Sequence, residues 1–138
     1  MPTGERPLPA LDDPVTRPFW EACRRRELTL QRCRGCDRLR FYPAPLCPHC
    51  HKGEADWARL SGRGSLASFV IVHPPVLPAF AACAPFAVAL VELEEDARIR
   101  LLGNLLDCEP GEIVIGLRVQ VSWQEVGDVT LPQWRPLR

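Results

Sequence analysis

Apolar and polar residues alternate over short stretches of this chain, a pattern that predicts β-strands rather than long helices. Beyond residue 61, five such stretches follow one another: 66–72, 86–93, 99–106, a strand through Val119, Val121 and Trp123, and 129–134. Residues 107–116, which contain a Pro-Gly turn, interrupt the series after the third strand. This arrangement predicts a small closed β-barrel of the OB type, and a β-sandwich is the alternative.

One helix is predicted near the N-terminus. It begins near Thr16, a suitable N-cap residue, and three Arg at 24–26 crowd its end, where cations complement the helix dipole. Phe19, Trp20 and Cys23 lie on one face of this helix. A pair of aromatic residues on so short a helix needs a partner surface, either in this chain or in another.

The pattern divides the chain into three parts. Residues 1–14 contain four Pro and predict an extended arm. Residues 28–31 predict a strand that leads into the first of two cysteine pairs, and a Ser-Gly-Arg-Gly sequence at 61–64 marks a break. We therefore expect an N-terminal arm and helix at 1–28, a zinc ribbon at 29–60 and an OB-fold domain at 61–138, in a mainly β protein.

Length and composition limit the class of protein. A chain of 138 residues allows one domain, or a small module attached to one domain. The apolar share of 46% and the charged share of 25% are close to globular averages, which excludes a disordered tail or a coiled coil. The 15 Pro predict a loop-rich fold with short elements, because Pro is excluded from the interiors of helices and sheets.

Residues 74–91 are the one uncharged stretch long enough to suggest a membrane span. This stretch contains four Pro, and each would cost a spanning helix about 3 kcal/mol. Residues 1–9 are charged and lack the apolar segment of a signal peptide. We therefore expect a soluble, cytoplasmic protein that does not cross a membrane.

Charge is balanced overall but unevenly distributed. Residues 1–69 carry twelve basic and eight acidic side chains, whereas residues 70–138 carry five basic and nine acidic ones. The densest cluster, residues 24–40, has seven Arg against Glu27 and Asp37. Such a patch favours an anionic ligand, for example a nucleic acid, a nucleotide or an acidic protein, and a solvated surface is the alternative.

Four of the seven cysteines form two Cys-x-x-Cys pairs, Cys33 with Cys36 and Cys47 with Cys50, separated by ten residues. Two residues between cysteines let both sulfurs point at one ion, and ten residues suit a hairpin that brings the pairs together. The spacing predicts one zinc ion. A disulfide pair, which needs an oxidising compartment, and a rubredoxin-like iron centre are the alternatives.

The ligand set predicts a structural metal. Four thiolates close the coordination shell, whereas a catalytic zinc keeps an open position. His49 and His51 can replace a sulfur in principle, but beside four cysteines we interpret them as surface residues. The positions after the pairs often hold Gly, and here they hold Asp37 and His51, types that are enriched where φ is positive.

No group of residues predicts catalysis. Cys23, Cys83 and Cys108 are interpreted as small apolar residues, and the acids beside Cys108 discourage a thiolate. His73, the one His outside the ribbon, stands alone before a Pro, and no Ser lies in a nucleophile-elbow sequence. We therefore predict no enzyme activity for the chain alone.

Motifs along nearly the whole chain together resemble a known family. They are Pro18-Phe19-Trp20, Leu30-Gln31-Arg32-Cys33, Cys47-Pro48-x-Cys50, Trp57, Ser61-Gly62-Arg63-Gly64, Pro85-Phe86, Val91-Glu92-Leu93, Leu102-Gly103-Asn104-Leu105, Gly116-Leu117-x-Val119 and Leu131-Pro132-x-Trp134. The family they resemble is the domain-of-unknown-function family with a rubredoxin-like zinc ribbon and an acyl-CoA-associated OB fold. The chain departs from the family pattern where Gly is usual, at Arg26, Asp37, His51 and residues 94–96, which affects local turn geometry only.

The resemblance implies a non-catalytic companion subunit that helps to bind acyl-CoA. Its partners would be thiolase-like enzymes, among them lipid-transfer-protein-type thiolases and aldolases, and in some cases hot-dog-fold hydratases. We expect positive charge near the CoA phosphates from three ribbon residues, Arg32, Arg38 and Arg40. We expect partner contacts from three aromatic residues, Phe19, Trp20 and Phe80.

A single-stranded nucleic-acid-binding OB-fold protein is the alternative function. Such a barrel interleaves basic and aromatic residues on its strands. Residues 61–138 instead carry more acidic than basic side chains, and their Phe and Trp lie mainly at core-like positions. The sequence therefore favours the companion subunit.

Overall fold

The computed structural model describes residues 6–138 and shows a mainly β fold with one helix, as predicted. The elements are α1 (Arg17–Arg24), β1 (Thr29–Cys33), β2 (Leu39–Arg40), β3 (Ala55–Arg59), β4 (Arg63–Val72), β5 (Phe86–Leu93), β6 (Arg100–Leu105), β7 (Arg118–Val126) and β8 (Val129–Pro136). Single 3-10 turns cover Pro78–Phe80 and Pro110–Glu112. The predicted arm lies partly outside the described residues, and residues 6–13 form neither helix nor strand.

Helix α1 begins at the predicted place, but the Thr16 side chain does not cap it. The carbonyl of Thr16 accepts hydrogen bonds from the N–H groups of Phe19 at 3.0 Å and Trp20 at 3.2 Å. The Thr16 hydroxyl makes no capping hydrogen bond, unlike the usual Thr N-cap. Within residues 6–138 no helix has the length and apolar character needed to cross a bilayer.

The C-terminal end of α1 is a left-handed turn at Arg26, whose φ is 60°. The N–H of Arg26 donates to the carbonyl of Cys23, and the N–H of Glu27 donates to the carbonyl of Ala22, both at 2.9 Å. These two bonds form a Schellman motif, in which the left-handed residue is usually Gly. The family's usual Gly at this position thus has a physical reason, and Arg26 adopts the strained conformation in its place.

Strands β4 to β8 form the closed five-stranded barrel that the pattern predicted. The order around the barrel is β4-β5-β6-β8-β7, and β4 returns to pair with β7. β5 alternates strictly between half-buried and buried residues. Its inward-facing residues are Ala87, Ala89, Val91 and Leu93.

Three of the four outward-facing residues of β5 are also apolar, which is unusual for an antiparallel sheet with one face toward solvent. They are Phe86, Val88 and Leu90, all half-buried. Val88 pairs with Val70, which is 58% exposed, and Leu90 pairs with Leu102, which is 66% exposed. We call these five residues the outer sheet face.

The junction between β6 and β8 is the weakest closure of the barrel. These strands are parallel and pair at one position, Leu105 with Trp134. A backbone hydrogen bond of 2.8 Å from Leu106 to Trp134 continues the junction. Beyond it, the side-chain oxygen of Gln133 takes the place of a backbone carbonyl. It accepts a hydrogen bond from the N–H of Asn104 at 2.6 Å.

Two glycines permit close packing in the barrel. A Cβ on Gly103 would lie 2.9 Å from Cδ1 of Trp134, the largest fully buried side chain. A Cβ on Gly64 would lie 2.6 Å from Cγ1 of Val91 and would also collide with the Glu92 carbonyl. Both distances are too short for real side chains, so these positions exclude any larger residue.

The ribbon is a three-stranded antiparallel sheet of order β2-β1-β3. α1 packs against β1 of this sheet and against β8 of the barrel. Phe19, Leu28 and Leu30 of the helix and ribbon belong to the same buried cluster as Trp134 of the barrel. The helix therefore joins the ribbon to the barrel through one continuous core.

Candidate metal centre and adjoining surfaces

The fold brings the four paired cysteines together. Cys33 ends β1, Cys36 lies in the turn that follows, and Cys47 and Cys50 lie at either end of a second turn. Their sulfurs all lie within 4.8 Å of one another, with Cys33 to Cys50 at 3.4 Å and Cys36 to Cys47 at 3.7 Å. Four sulfurs about 2.3 Å from a tetrahedral zinc ion lie about 3.8 Å apart, so the arrangement fits zinc.

The two turns have the same backbone geometry. The N–H of Gly35 donates to the Cys33 sulfur at 3.2 Å, and the N–H of His49 donates to the Cys47 sulfur at 3.4 Å. Asp37 and His51 follow the turns, and each has a φ of 65°. The sequence prediction for these two residues is confirmed, because both adopt the left-handed conformation for which Gly is usual.

Backbone hydrogen bonds also change the pKa values of the ribbon thiols. Hydrogen bonding to the backbone N–H of Cys36 lowers the pKa of Cys33 to about 6, and the N–H of Cys50 lowers the pKa of Cys47. The N–H of Arg38 also acts to lower the pKa of Cys36, but burial and the neighbouring sulfurs outweigh it and raise that pKa to about 11. The backbone therefore favours the thiolate form of Cys33 and Cys47, which is the form that binds zinc.

The histidines of the ribbon lie outside the sulfur cluster. Arg38 contacts His49, with Nη1 2.8 Å from Nδ1. A guanidinium has no acceptor atom, so Nδ1 of His49 accepts this hydrogen bond. His51 is exposed. The metal centre is a four-cysteine site of the structural kind, with no open position at which a substrate could bind.

The three predicted ribbon arginines lie in different surroundings. Arg32 is half-buried and donates to the carbonyl of Asp37 at 3.0 Å. Arg40 is only 3% exposed and donates from Nη1 to the carbonyl of Ala44 at 2.9 Å. Arg38 and Arg40 line one cleft of about 290 Å³ between ribbon and barrel, whereas Arg32 does not line it.

The barrel adds a third arginine, Arg98, to this cleft. Sequence reasoning did not single it out. Arg98 belongs to the turn between β5 and β6, where it pairs with Asp96 through two hydrogen bonds of 3.0 Å. The sequence does not indicate which residues of another module lie next to a charged residue in an exposed turn. Only the fold shows that Arg98 lies beside the ribbon.

The predicted partner residues Phe19 and Trp20 separate into a core residue and a surface residue. Phe19 is 2% exposed, and its ring lies 4.9 Å from that of Trp20 and 5.6 Å from that of Phe41. Phe19 is thus covered within its own chain. Trp20 is half-buried and lines a groove with Tyr42, which is 50% exposed, and Leu102 of the outer sheet face.

Phe80 lies at the mouth of the barrel. Its ring lies 6.0 Å from that of Phe86, and the guanidinium carbon of Arg6 is 5.4 Å from the ring centre. These residues line a cavity of about 380 Å³ together with Cys83 and Cys108. Phe80 is half-buried and so keeps surface for a further contact.

Two of the cysteines outside the ribbon, Cys23 and Cys108, have environments that disfavour the thiolate. Burial raises the pKa of Cys23 to about 12. Burial, followed by the nearby Glu112 carboxylate, raises the pKa of Cys108. Cys83 is exposed, and its sulfur lies 3.2 Å from the carbonyl of Phe80. We find no nucleophile paired with a base among residues 6–138.

A four-cysteine ribbon joined to an OB barrel defines the class of protein, and comparisons with known proteins then give the family. Residues 20–55 match the family model described as "ChsH2, rubredoxin-like zinc ribbon domain", and residues 57–124 match "ChsH2, C-terminal OB-fold domain". The chain belongs to this ChsH2-like DUF35 family. The predictions of the family and of a zinc ribbon are confirmed.

Three similar proteins show the range of the family. A "Probable enoyl-CoA hydratase alpha subunit" of Thermomonospora curvata is 41% identical over 98% of this chain, and the chain spans 41% of its length. A "DUF35 domain-containing scaffold protein" of Methanothermobacter thermautotrophicus is 35% identical over 74% of this chain and 75% of its own. A chain of the structure described as "Ltp2-ChsH2(DUF35) aldolase" is 39% identical, with a TM-score of 0.83 over 95% of this chain and 98% of that one.

Proposed function

We propose that this chain is a non-catalytic companion subunit of an enzyme that processes acyl-CoA. The observation that carries the proposal is the match over 98% of a chain from the Ltp2-ChsH2(DUF35) aldolase structure, at 39% identity. Of the enzymes that the sequence resemblance implies, this match favours a lipid-transfer-protein-type aldolase or another thiolase-like subunit. The hydratase name of the Thermomonospora curvata relative makes a hydratase the second kind of partner.

The described residues support a role without chemistry of its own. The only cluster of metal-binding side chains among residues 6–138 is the four-cysteine site, which has no open position. The raised pKa of Cys108 keeps its thiol protonated at neutral pH, and a neutral thiol is a poor nucleophile. Steady-state assays with a panel of CoA thioesters should therefore give no turnover by the chain alone.

An apolar surface supports association with a partner protein. The outer sheet face and the groove beside Trp20 are continuous, because Leu102 belongs to both. Contiguous exposed apolar residues on a soluble protein often mark a protein interface. We assign the partner contacts to this surface and to the loop that carries Phe80, while Phe19 supports Trp20 from inside the core.

Basic residues of the ribbon supply charge for acyl-CoA. Arg32 and Arg38 keep exposed or half-buried guanidinium groups on this module, and Arg40 lies between the ribbon and the barrel. Guanidinium groups bind phosphate oxygens through paired hydrogen bonds. CoA binding by the chain or by its complex should weaken as salt rises, because salt screens these contacts.

Association can be tested by light scattering with a candidate aldolase, thiolase-like or hydratase subunit. The wild type should form a complex, and Trp20→Ala and Phe80→Ala should each weaken it by about thirtyfold or more, as truncated aromatic anchors do. Ile115→Ala is the matched control, because Ile115 is 63% exposed and lies on another loop. A wild type that stays monomeric beside every candidate would overturn the proposal.

A further inference from the structure

The cleft between ribbon and barrel is a basic concave site, lined by three arginines and one aspartate. It receives Arg38, Arg40, Tyr42 and Leu46 from the ribbon, and Asp96, Arg98 and Ile99 from the turn between β5 and β6. Two modules therefore form it jointly. Its volume of about 290 Å³ exceeds that of a single phosphate group.

Arg40 is the unusual member of this cleft. The residue is 3% exposed, and its guanidinium makes one hydrogen bond within residues 6–138, from Nη1 to the carbonyl of Ala44. Nε and Nη2 are shielded from solvent and have no acceptor there. Buried charged groups are normally paired and hydrogen-bonded, so Arg40 lacks the anionic partner that its burial calls for.

The other charges of the cleft do not supply that partner. Asp96 is the one carboxylate among the lining residues, and both of its oxygens accept hydrogen bonds from Arg98. Arg38 donates to His49 instead of to a carboxylate. Three arginines and one carboxylate thus line the cleft, which carries a net positive charge.

We propose that this cleft binds a phosphate group and that Arg40 is its central ligand. Phosphate oxygens accept paired hydrogen bonds from guanidinium groups, and Arg38 and Arg98 flank the same space. To reach the anion the guanidinium turns toward the cleft and gives up only its hydrogen bond to Ala44. The identity of the ligand rests on the proposed function, since the pyrophosphate and 3′-phosphate of CoA are the sources that function supplies.

The proposal is tested by calorimetric titration of the zinc-loaded protein with pyrophosphate, CoA and dephospho-CoA. Pyrophosphate and CoA should bind the wild type. Arg40→Met should weaken both by about tenfold or more, and Arg98→Gln by about fivefold, because each removes a charged donor. Arg59→Gln is the matched control and should change binding by less than about twofold, because Arg59 is an exposed arginine at the end of β3 that lies outside the cleft.

Stability without ligand separates a binding role from a structural one. If Arg40 serves the ligand, Arg40→Met should melt at the same temperature as the wild type or higher, since an unpaired buried charge is removed. A lower melting temperature with unchanged pyrophosphate binding would overturn the proposal. Should Arg40→Met fail to fold, Arg40→Lys keeps the charge but loses the paired donors, and pyrophosphate should still bind it several-fold more weakly than the wild type.

The outcomes distinguish failure of the phosphate site from failure of the proposed acyl-CoA function. Arg40-dependent binding of pyrophosphate without binding of CoA would support the phosphate site and overturn acyl-CoA as the ligand. If CoA binds the wild type and Arg40→Met equally well, the cleft is not the phosphate-binding site, and the proposed function is left standing. Arg40-dependent binding of single-stranded DNA that is tighter than that of CoA would retain the phosphate site and reject CoA as its source.

Discussion

The ribbon and the barrel are both built from antiparallel strands, but different interactions stabilise them. The ribbon strands have five, two and five residues, and its sheet is open at both edges. The barrel strands have six to ten residues and close on themselves around buried side chains. A small module with little core of its own depends on metal ligation, whereas a closed sheet of this size depends on its packed interior.

Removing one zinc ligand should separate the two modules most clearly. In Cys47→Ser the ribbon should lose its order while the barrel keeps its β-structure, because structural zinc contributes about 10 kcal/mol or more to a small module. Elemental analysis should find one zinc per wild-type chain, and hydrogen exchange by segment should show the loss confined to residues 29–60. Iron in the purified protein, or simultaneous loss of the barrel, would contradict this expectation.

Overpacking the barrel should destabilise the barrel and leave the zinc site of the ribbon intact. Gly64→Ala places a methyl group against Val91 and the Glu92 carbonyl, so the free energy of unfolding should fall by about 1–3 kcal/mol. The control is Gly111→Ala, where nothing lies within 4 Å of the added Cβ. Denaturant unfolding measures both changes. Zinc content should stay at one per chain below the unfolding transition, and loss of zinc there would show that the two modules are not independent.

Relieving the turn between helix and ribbon should stabilise the chain slightly. Arg26→Gly removes a left-handed conformation that costs a non-glycine residue about 1 kcal/mol. Part of this gain is offset by loss of the exposed ion pair with Glu125, at 3.1 Å. Arg26→Ala is the control, because it loses the ion pair and keeps the strain. If the two variants melt at the same temperature, the left-handed turn is not the cause.

The smallest effect is expected at the exposed ion pair of the ribbon. Arg34, in the turn after β1, contacts Asp56 of β3 at 2.7 Å, and both side chains are more than half exposed. Solvent and salt screen such pairs, so Arg34→Ala should leave the melting temperature unchanged at physiological ionic strength. Thermal denaturation in the zinc-loaded state tests this, and a clear decrease would mean that the pair helps to hold the first cysteine turn.

Local features of the sequence predicted local features of the structure well. The cysteine spacing identified the metal site, because two short Cys-x-x-Cys turns need only a hairpin to meet. Residues 86–93 were predicted as a strand with the bounds that the structure has. Asp37 and His51 were predicted in the left-handed region from their residue types.

Contacts between the ribbon, the helix and the barrel could not be predicted from the sequence. Arg98 meets the ribbon cleft only because the barrel turns the β5–β6 loop toward it. Phe41 covers Phe19 across the space between ribbon and helix, which removes the expected need for a second chain at that ring. The burial of Arg40 has the same origin, since strand alternation does not reveal what packs over an edge strand.

The junction between β6 and β8 has a consequence for the motions of the barrel. β5 is paired on both sides along its length, whereas β6 meets β8 at one residue pair and through the side chain of Gln133. Local openings start where backbone hydrogen bonds are few, so amide protons of β6 at this junction should exchange with deuterium earlier than those of β5. Earlier exchange there would mean that the barrel opens beside β8, the strand that carries Trp134 and contacts helix α1.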